Sequence, residues 1–156
     1  MKTITLASGE NALVDDEDYP LVSQYKWQLL HGYPRAWGRT DGKRKNILMH
    51  QLIMPCLPCF EPDHIDGNKL NNQRQNLRPA TRSQNNANRG PQRNNTTGFK
   101  GVYLKRNTGR YLAQIQVNKR IIYLGYHDTP EDAARAYDQA ARRYFGPFAH
   151  TNFEED

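Results

Sequence analysis

The stretch that decides the fold occupies residues 63–86 and has the sequence DHIDGNKLNNQRQNLRPATRSQNN. Six of its residues are asparagine, and a seventh follows at Asn88. Asparagine favours turns and left-handed positions, and its side chain can replace backbone hydrogen bonds. The stretch therefore predicts a loop that is ordered by side-chain-to-backbone hydrogen bonds instead of by an apolar core. Residues 82–89 are expected to form a short helix.

The composition places this stretch in a small, polar, basic protein. The chain has 156 residues, a net charge of +6, 37% hydrophobic residues and a mean hydropathy of −0.94. So little apolar material favours two or three small units over one large core. No segment approaches the roughly 18 apolar residues of a membrane span, and Met1–Glu10 lacks the apolar part of a secretory signal. We expect a soluble, cytoplasmic protein without a membrane partner, and two cysteines exclude a disulfide framework.

The charges are distributed unevenly along the chain. No Asp or Glu occurs from Gly67 to His127, whereas the same 61 residues carry 12 Lys or Arg. The segments before and after this acid-free block have net charges of −2 and −4. A one-sign block of this length is typical of a surface that binds a polyanion, most often nucleic acid. A solvated face or a disordered basic linker is the alternative, but Tyr, Phe, Ile and Val between the charges argue against disorder.

The pattern predicts an α+β protein with four regions, of which residues 1–58 form an N-terminal β region. Turn pairs such as His31-Gly32 and Asp41-Gly42 separate short apolar runs, which indicates antiparallel hairpins. The predicted strands are residues 2–6, 12–14, 25–30, 33–38 and 46–53. The acidic residues 15–18 are expected to form a solvated turn, with cation binding as the alternative. Residues 59–90 are the second region, and residues 91–97 are a linker.

The fourth region, residues 98–153, is predicted to be a three-stranded antiparallel sheet packed on one α-helix. The strands are expected at residues 99–105, 110–117 and 120–126. Thr129 is a good N-cap, Pro130 suits the first helical position, and Gly146 suits the end of the helix. The apolar positions of this helix recur with a helical period and are Ala133, Ala136, Tyr137, Ala140, Ala141 and Tyr144.

His64, Asn76 and Asn85 have a distinctive spacing within residues 50–89. This segment resembles the HNH nucleases of phage and mobile-intron homing endonucleases, whose three signature positions match these residues. The resemblance implies two strands and a helix that hold one divalent metal ion, the ββα-metal arrangement. It implies that His64 is the general base, and that Asn76 braces the loop and orients His64. It also implies that Asp63 and Asn85 bind the metal.

Phosphodiester hydrolysis has chemical requirements that these residue types meet. It needs an activated water, and a histidine with a pKa near neutral can accept the proton. It also needs stabilisation of the phosphate and of the departing 3′ oxygen, which one hard divalent cation supplies. Carboxylate and amide oxygens suit Mg²⁺ or Mn²⁺. Zinc is not expected at Cys56 and Cys59, because such sites generally need a second pair of ligands.

Four further polar residues near this motif have two interpretations each. Asp66 and Asn68 either form a tight turn or support the metal ligands. His50 is either a structural strand residue or a phosphate contact. Asn88 lies three residues after Asn85, on the same helix face, and is either an alternate ligand or a phosphate contact.

Three motifs characterise the C-terminal region: TGFKGV at residues 97–102, YLGY at 123–126 and EDAARAYDQAA at 131–141. They resemble the Apetala-type DNA-binding domain of plant ethylene-response factors over about residues 96–153. That family implies a three-stranded sheet, backed by one helix, that enters the major groove of DNA. Its contact positions fall on Lys100, Tyr103, Lys105, Arg110, Gln114, Gln116, Ile121 and Tyr123. Several of these differ from the Arg, Glu and Trp that are usual there, so a different target sequence is expected.

The two resemblances together imply a site-directed DNA endonuclease, similar to a homing endonuclease, that cuts double-stranded DNA and leaves 5′-phosphate and 3′-hydroxyl ends. Arg89 and Arg93 are expected to contact phosphate. One alternative is a non-catalytic DNA-binding regulator that retains the nuclease fold. Another is an RNA-binding protein that stacks bases on Tyr103 and Tyr123. We expect a monomer, and a monomer with one active site would nick a single strand.

Overall fold

The structure is a computed structural model that describes residues 1–40 and 42–154. Several small antiparallel sheets and a few helices make it a mixed α/β protein, as the sequence predicts at this coarse level. The chain divides into two compact units, Met1–Thr81 and Arg82–Asp156. This division falls within the predicted 59–90 region, and the four sequence-based regions stay predictions. Asp41 of the predicted Asp41-Gly42 turn lies outside the described residues.

The first unit begins with two small antiparallel sheets. Strands β1 (Lys2–Thr5) and β2 (Asn11–Val14) pair with each other in a two-stranded sheet. A short helix, α1 (Tyr19–Val22), follows them. Three further strands pair in the order β3-β4-β5, and they are β3 (Gln28–Leu30), β4 (Tyr33–Thr40) and β5 (Lys43–Leu48). The predicted hairpins of the N-terminal region are therefore present.

Residues 49–53, which the sequence predicts as the end of a strand, form a helix instead. Helix α2 (Met49–Ile53) buries the side chains of Met49, His50 and Ile53. Met49 and Ile53 are four residues apart, so one helical turn brings both side chains to the same face. A short apolar run does not by itself distinguish a buried strand from a buried helical turn. The interpretation of His50 as a strand residue is therefore wrong.

The asparagine-rich segment lies between two paired strands of the first unit. Strand β6 (Phe60–His64) pairs antiparallel with β7 (Leu77–Thr81), and a 3₁₀ turn at Arg74–Asn76 precedes β7. The core of this unit collects apolar side chains from every part of it. Its buried members are Ile4, Leu6, Ala12, Val14, Val22, Trp27, Ala36, Met49, Ile53 and Leu77.

The acidic residues 15–18 hold the asparagine-rich segment against the start of the chain. The Asp18 carboxylate is 2% exposed and accepts hydrogen bonds from Nε and Nη2 of Arg74 at 2.8 and 2.7 Å. Asp15 accepts from the backbone N of Arg74 at 2.8 Å and from the Gln73 amide at 3.1 Å. Such a two-pronged guanidinium–carboxylate pair fixes geometry as well as charge. The expectation of a solvated turn is therefore wrong for Asp18.

The second unit has the predicted sheet and backing helix. After α3 (Arg82–Ala87), strands β8 (Val102–Lys105), β9 (Arg110–Val117) and β10 (Arg120–His127) pair antiparallel in the order β10-β9-β8. Helix α4 (Pro130–Phe145) follows. The Thr129 side chain accepts a hydrogen bond from the Asp132 backbone N at 3.1 Å, which confirms the predicted N-cap.

Small side chains let helix α4 lie close to the sheet. Ala133, Ala140 and Ala141 are buried against strand residues such as Ala113 and Ile115. The helical period misplaced Tyr144, which is exposed, because Phe145 takes the buried position at the end of the helix. Among the described residues, no helix is long and apolar enough to cross a membrane.

Helix α3 packs on the core of the second unit. Ala87, its last residue, is buried in the same cluster as Ile115 and Phe145. The backbone carbonyl of Ala87 accepts hydrogen bonds from the backbone N of His150 at 3.2 Å and from the ammonium group of Lys100. The sequence-predicted short helix is confirmed, and its C-terminal end is held by the domain that follows it in the chain.

Candidate active site and nucleic-acid interface

Strand β6 ends on the two residues that the sequence singles out for catalysis and metal binding. Asp63 and His64 are 4% and 5% exposed. Asp63 lies opposite Arg78 in the β6–β7 register, and its Oδ2 is 2.9 Å from Arg78 Nε. Because successive side chains of a strand point to opposite faces, the Asp63 carboxylate and the His64 imidazole lie on opposite sides of β6.

The loop after His64 is tied by side-chain hydrogen bonds, as the sequence predicts. Asn76 Oδ1 accepts from the backbone N of Asp66 at 3.1 Å, and Asn76 Nδ2 donates to Asp66 Oδ1 at 2.9 Å and to the Asn71 carbonyl at 2.8 Å. Asp66 Oδ1 also accepts from the backbone N of Asn68 at 2.8 Å. Gly67, at φ 72°, donates its backbone N–H to the His64 carbonyl at 2.9 Å. Asp66 and Asn68 therefore form the turn, one of their two predicted interpretations.

Asn72 lies against the His64 ring, a position that the sequence did not predict. His64 Nε2 lies 3.4 Å from Asn72 Oδ1. The amide of Asn72 is oriented by donation from Nδ2 to the Lys69 carbonyl at 3.2 Å. Its backbone N donates to the Leu13 carbonyl at 2.8 Å, which anchors it to strand β2. Burial lowers the pKa of His64, while the contact with Asn72 acts in the opposite direction.

His50 forms the other wall of the His64 site. Its ring lies edge-on to the His64 ring, with centroids 5.1 Å apart, and 5.1 Å from the ring of Tyr33. His50 Nδ1 is buried and has no hydrogen-bond partner in the described part of the chain. Burial lowers the pKa of His50 to about 3, so the ring is neutral at ordinary pH. A buried, neutral ring supports packing around His64 and not the alternative of a phosphate contact.

The resemblance to HNH nucleases implies Asp63 and Asn85 as metal ligands. Asp63 lies in the first unit and Asn85 lies on α3 in the second unit, and Asn88 directly follows that helix. Within residues 1–40 and 42–154, no three His, Cys, Asp or Glu side chains cluster in a way that could hold a metal ion. Carboxylate and amide oxygens nevertheless fit a hard divalent cation, because Mg²⁺ is commonly bound by one or two protein groups together with substrate phosphate and water. Cys56 and Cys59 are free thiols, half-buried and exposed.

The outer face of the second unit's sheet carries exposed aromatic and polar side chains. Tyr103 and Tyr123 are 49% and 68% exposed, and Ile121, Gln116 and Lys105 are exposed beside them. Gln114 pairs with Tyr123 in the register and is half-buried. The predicted division of the strands into a helix-facing side and an open side is therefore observed for these positions.

A register shift between Tyr123 and Gly125 adds a residue to this face that period-two counting missed. Tyr123 pairs with Gln114, whereas Tyr126 pairs with Leu112, so both tyrosines lie on the open side of the sheet. Leu112 is buried there between Tyr103 and Tyr126 in the register. The glycine at 125, with φ 113°, is the sequence signal for such a bulge.

Four basic residues predicted to contact DNA have different surroundings. The Lys100 side chain is largely buried, its ammonium donates to the Ala87 carbonyl, and burial lowers its pKa to about 8. Arg110 Nε lies 3.0 Å from Asp128 Oδ1, in an exposed ion pair. Arg89 and Arg93 are exposed.

Two family models match separate parts of the chain. The HNH endonuclease family model matches residues 56–87, and the AP2 domain model matches residues 97–147. The chain therefore carries an HNH nuclease motif followed by an AP2 domain. Both kinds of domain bind DNA. HNH nucleases generally use a divalent metal.

A viral protein is similar to this chain over most of its length. An uncharacterized HNH endonuclease of Acanthamoeba polyphaga mimivirus is 35% identical over 146 residues, which cover 92% of this chain and 75% of that protein. This chain belongs to the HNH endonuclease family.

Plant proteins match only the C-terminal region. An AP2-like ethylene-responsive transcription factor of Arabidopsis thaliana is 44% identical over 71 residues, or 39% of this chain and 13% of that protein. An ethylene-responsive transcription factor of Nicotiana tabacum is 53% identical over 57 residues, or 35% of this chain and 25% of that protein. The resemblance to the Apetala-type family is confirmed, and it concerns one domain of these larger proteins.

Proposed function

We propose that this protein is a site-directed DNA endonuclease, similar to a homing endonuclease, that hydrolyses phosphodiester bonds with His64 as the general base. The observation that carries the proposal is the buried His64 ring at the end of β6, next to Asp63 and oriented by Asn72. A non-catalytic regulator does not require a proton acceptor and a metal-binding carboxylate at this position.

The surroundings of His64 suit a proton acceptor. Burial keeps the imidazole neutral, which is the form that can take a proton. The Asn72 amide presents its oxygen to Nε2, because its nitrogen donates to the Lys69 carbonyl. Nε2 then carries the hydrogen, and Nδ1 has the lone pair that removes a proton from the attacking water. After proton transfer the ring is positively charged, and the Asn72 oxygen next to Nε2 stabilises that charge.

Asp63 and Asn85 would hold the divalent cation, Mg²⁺ or Mn²⁺. When bound, such an ion supplies charge stabilisation for the scissile phosphate and the leaving 3′ oxygen. Arg78 keeps the Asp63 carboxylate in place through its 2.9 Å contact to Oδ2. Asn76 braces the loop that hydrogen-bonds to the His64 carbonyl. This loop therefore fixes the backbone at His64, the proposed general base.

The exposed face of the second unit's sheet would supply most of the DNA affinity. Glutamine side chains such as Gln114 and Gln116 can pair with adenine edges in the major groove, and Lys105 can contact guanine or phosphate. The exposed rings of Tyr103 and Tyr123 can contact thymine methyl groups. The target sequence is therefore expected to differ from those of the plant proteins.

Cleavage of a mixed DNA library tests the proposal without knowledge of the target. Purified full-length protein is incubated with supercoiled plasmid and fragmented genomic DNA in Mg²⁺ or Mn²⁺, and new ends are sequenced. We expect recurrent sites with 5′-phosphate and 3′-hydroxyl ends, and loss of these ends for His64→Ala and Asp63→Asn. His31→Asn is the matched control, because His31 is an exposed turn residue with φ 51°, which Asn tolerates.

Three results would contradict the proposal in different ways. DNA that stays intact with the wild-type protein and both metals, while the protein still binds duplex, would favour the non-catalytic regulator. Cleavage by His64→Ala at the wild-type rate would show that His64 is not the base. Preference for single-stranded RNA over duplex DNA in competition would favour the RNA-binding alternative.

A further inference from the structure

The β4–β5 hairpin of the first unit has one basic face. Trp37 pairs with Asn46 in the register, and Arg39 pairs with Arg44, so these four side chains lie on the same side of the sheet. Arg35 joins them from two residues before Trp37. The opposite side of β4 faces the core through Ala36. Five basic residues and one acid occur between Tyr33 and Leu48, although residues 1–66 as a whole are net acidic.

An exposed tryptophan organises the guanidinium groups of this face. Trp37 is 44% exposed, and the Cζ atoms of Arg35 and Arg44 lie 4.8 and 4.3 Å from its ring. This double cation–π contact limits the freedom of both side chains before any ligand arrives. Arg35, Arg39 and Arg44 form no ion pair with any carboxylate in residues 1–40 and 42–154. Their positive charge is therefore not neutralised by those acids.

The basic face continues along β4 to the candidate active site. Tyr33 lies on the same side of the strand as Arg35 and Trp37, and its ring centroid is 6.1 Å from that of His64. The ammonium of Lys69 lies 4.1 Å from the Tyr33 ring and donates to the His31 carbonyl at 3.0 Å. A line of cationic and aromatic side chains thus runs from Arg39 and Arg44 to His64 within one unit.

We infer that this face, formed by Tyr33, Arg35, Trp37, Arg39 and Arg44, binds the phosphate backbone of duplex DNA next to the position of cleavage. The inference rests on the proposed nuclease function and adds a second DNA contact surface to the AP2 sheet. The six residue-to-residue steps from Tyr33 to Arg39 span about 20 Å of strand, comparable to about six base-pair steps of 3.4 Å. Guanidinium groups match phosphate oxygens in geometry. Beyond Arg35, where β3 no longer pairs with β4, the β4–β5 hairpin is a two-stranded ribbon that is narrow enough for the major groove.

Phosphate contacts predict a specific salt dependence that an exposed charged surface without a ligand would not show. The affinity of the full-length protein for a 25-base-pair duplex is measured by fluorescence anisotropy at several NaCl concentrations, without divalent metal. We expect Arg39→Gln/Arg44→Gln to weaken binding on the order of tenfold, and to lower the slope of log K against log [NaCl] by about 2.

The same hairpin offers a matched control. Lys45 is exposed and lies next to Arg44 on β5, but it pairs with Gly38 and so points to the other side of the sheet. Lys45→Gln removes one positive charge from the hairpin and is expected to leave the salt slope within experimental error. Equal changes of the salt slope in Lys45→Gln and in the single variant Arg44→Gln would overturn the assignment of this face. An unchanged salt slope in Arg39→Gln/Arg44→Gln would also overturn it.

Trp37 gives a second, direct readout that does not depend on removing charge. Quenching of tryptophan fluorescence by acrylamide is compared in the free protein and in the duplex complex, for the wild type and for Trp37→Phe. Trp27, the other tryptophan, is 2% exposed, so Trp37 dominates the quenching. We expect duplex to protect the wild type and not Trp37→Phe. A bound complex in which Trp37 stays fully accessible would overturn the inference.

Neither experiment requires DNA cleavage, so the two proposals can fail separately. A protein that binds duplex through this face but cuts no DNA would retain the inference and lose the nuclease function. A protein that cuts DNA with a normal salt slope in Arg39→Gln/Arg44→Gln would retain the nuclease function and lose the inference.

Discussion

Asn76 holds Asp66 by two hydrogen bonds across the loop that separates the strands of the candidate active site. Asn76 Oδ1 accepts from the Asp66 backbone N at 3.1 Å, and its Nδ2 donates to Asp66 Oδ1 at 2.9 Å. Asp66 is only two residues from His64, so the amide of Asn76 fixes the chain directly after the proposed base. Hydrogen bonds from Asn71, Asn76 and Asn68 lower the pKa of Asp66 against the effect of its burial, so the carboxylate accepts all of them as an anion.

Replacement of Asn76 should separate loop order from DNA affinity. Asn76→Ala removes both hydrogen bonds to Asp66 and the one to the Asn71 carbonyl, which should cost about 1–3 kcal/mol of unfolding free energy. Misplacement of His64 should lower the cleavage rate by on the order of 100-fold. Urea unfolding and cleavage kinetics measure the two effects. Gln75→Ala, at the exposed neighbouring position, is the control and should change neither. Wild-type cleavage by Asn76→Ala would contradict the bracing role.

The contact between Asn72 and His64 predicts a shift of the pH–rate profile with a definite sign. The base is active when neutral, so the acidic limb of kcat/KM follows the pKa of His64 in the free enzyme. Burial lowers that pKa, and the hydrogen bond with Asn72 raises it. Asn72→Ala should therefore move the acidic limb to lower pH, and Asn72→Asp, which adds a negative charge, should move it to higher pH. The plateau rate should fall by roughly 10- to 100-fold in Asn72→Ala because the ring loses its orientation.

The direction of the two shifts is the decisive part of that measurement. Shifts of the limb in the same direction for both variants would show that Asn72 acts on something other than the protonation of His64. A third result would be a wild-type cleavage rate that does not depend on pH between pH 5 and 8, while both variants cleave more slowly at every pH. That result would indicate a purely structural role for Asn72.

Local signals were sufficient to predict the fold of the second unit from the sequence. Thr129, Pro130 and Gly146 mark the two ends of α4, and polar turn residues such as Gly109 separate strands of alternating pattern. The first unit was harder to predict, because its elements are short and apolar. The run from Met49 to Ile53 fits a strand or a helical turn equally well, and only packing around His50 decides between them.

The residues of the candidate site's motif could be predicted from the sequence, but the side chains that pack around His64 could not. The resemblance to HNH nucleases points to His64 and Asn76, since both belong to one loop-and-strand motif. His50 was predicted as a strand residue or a phosphate contact, and Asn72 was given no role, because their contacts with His64 arise from tertiary packing between α2, the loop and β6. The basic face around Trp37 was hidden for another reason: the acidic residues 15–18 cancel its charge in the sum over the N-terminal region.

Burial of His50 predicts that the first unit loses stability in acid. The folded-state pKa of His50 is about 3, below the ordinary value of 6.5, so the unfolded chain binds a proton first as pH falls. Its contribution to stability is complete above about pH 6.5 and is lost progressively between pH 6.5 and 3. From pH 7 to pH 5 the loss should be about 2 kcal/mol.

Urea unfolding followed by Trp27 fluorescence at pH 7 and pH 5 measures this loss, because Trp27 lies in the core of the same unit. His50→Gln, which cannot titrate, should be less stable at pH 7 but should show a smaller decrease between the two pH values. His31→Asn should show the wild-type decrease, since His31 is exposed. A wild-type decrease in His50→Gln would show that other groups cause the acid sensitivity.

Two glycines of the second unit allow the cost of backbone conformation to be separated from the cost of close packing. Gly101 and Gly109 both have positive φ, 77° and 68°. A Cβ at Gly101 would lie 2.0 Å from Cδ2 of Tyr137 and 2.8 Å from the Gln114 carbonyl, whereas nothing lies within 4 Å of one at Gly109. Gly109→Ala should cost about 1 kcal/mol, the penalty for an L-residue in a left-handed position.

Gly101→Ala should cost a further 1–3 kcal/mol or so, because the buried Tyr137 ring and the backbone of β9 must move to admit a methyl group. Thermal unfolding monitored by circular dichroism gives the comparison, with the lower Tm expected for Gly101→Ala. Displacement of β8 should also disturb the open face that carries Tyr103, so duplex affinity should fall in Gly101→Ala and stay unchanged in Gly109→Ala. Equal Tm values for the two variants would show that the sheet and α4 have room to separate at this point.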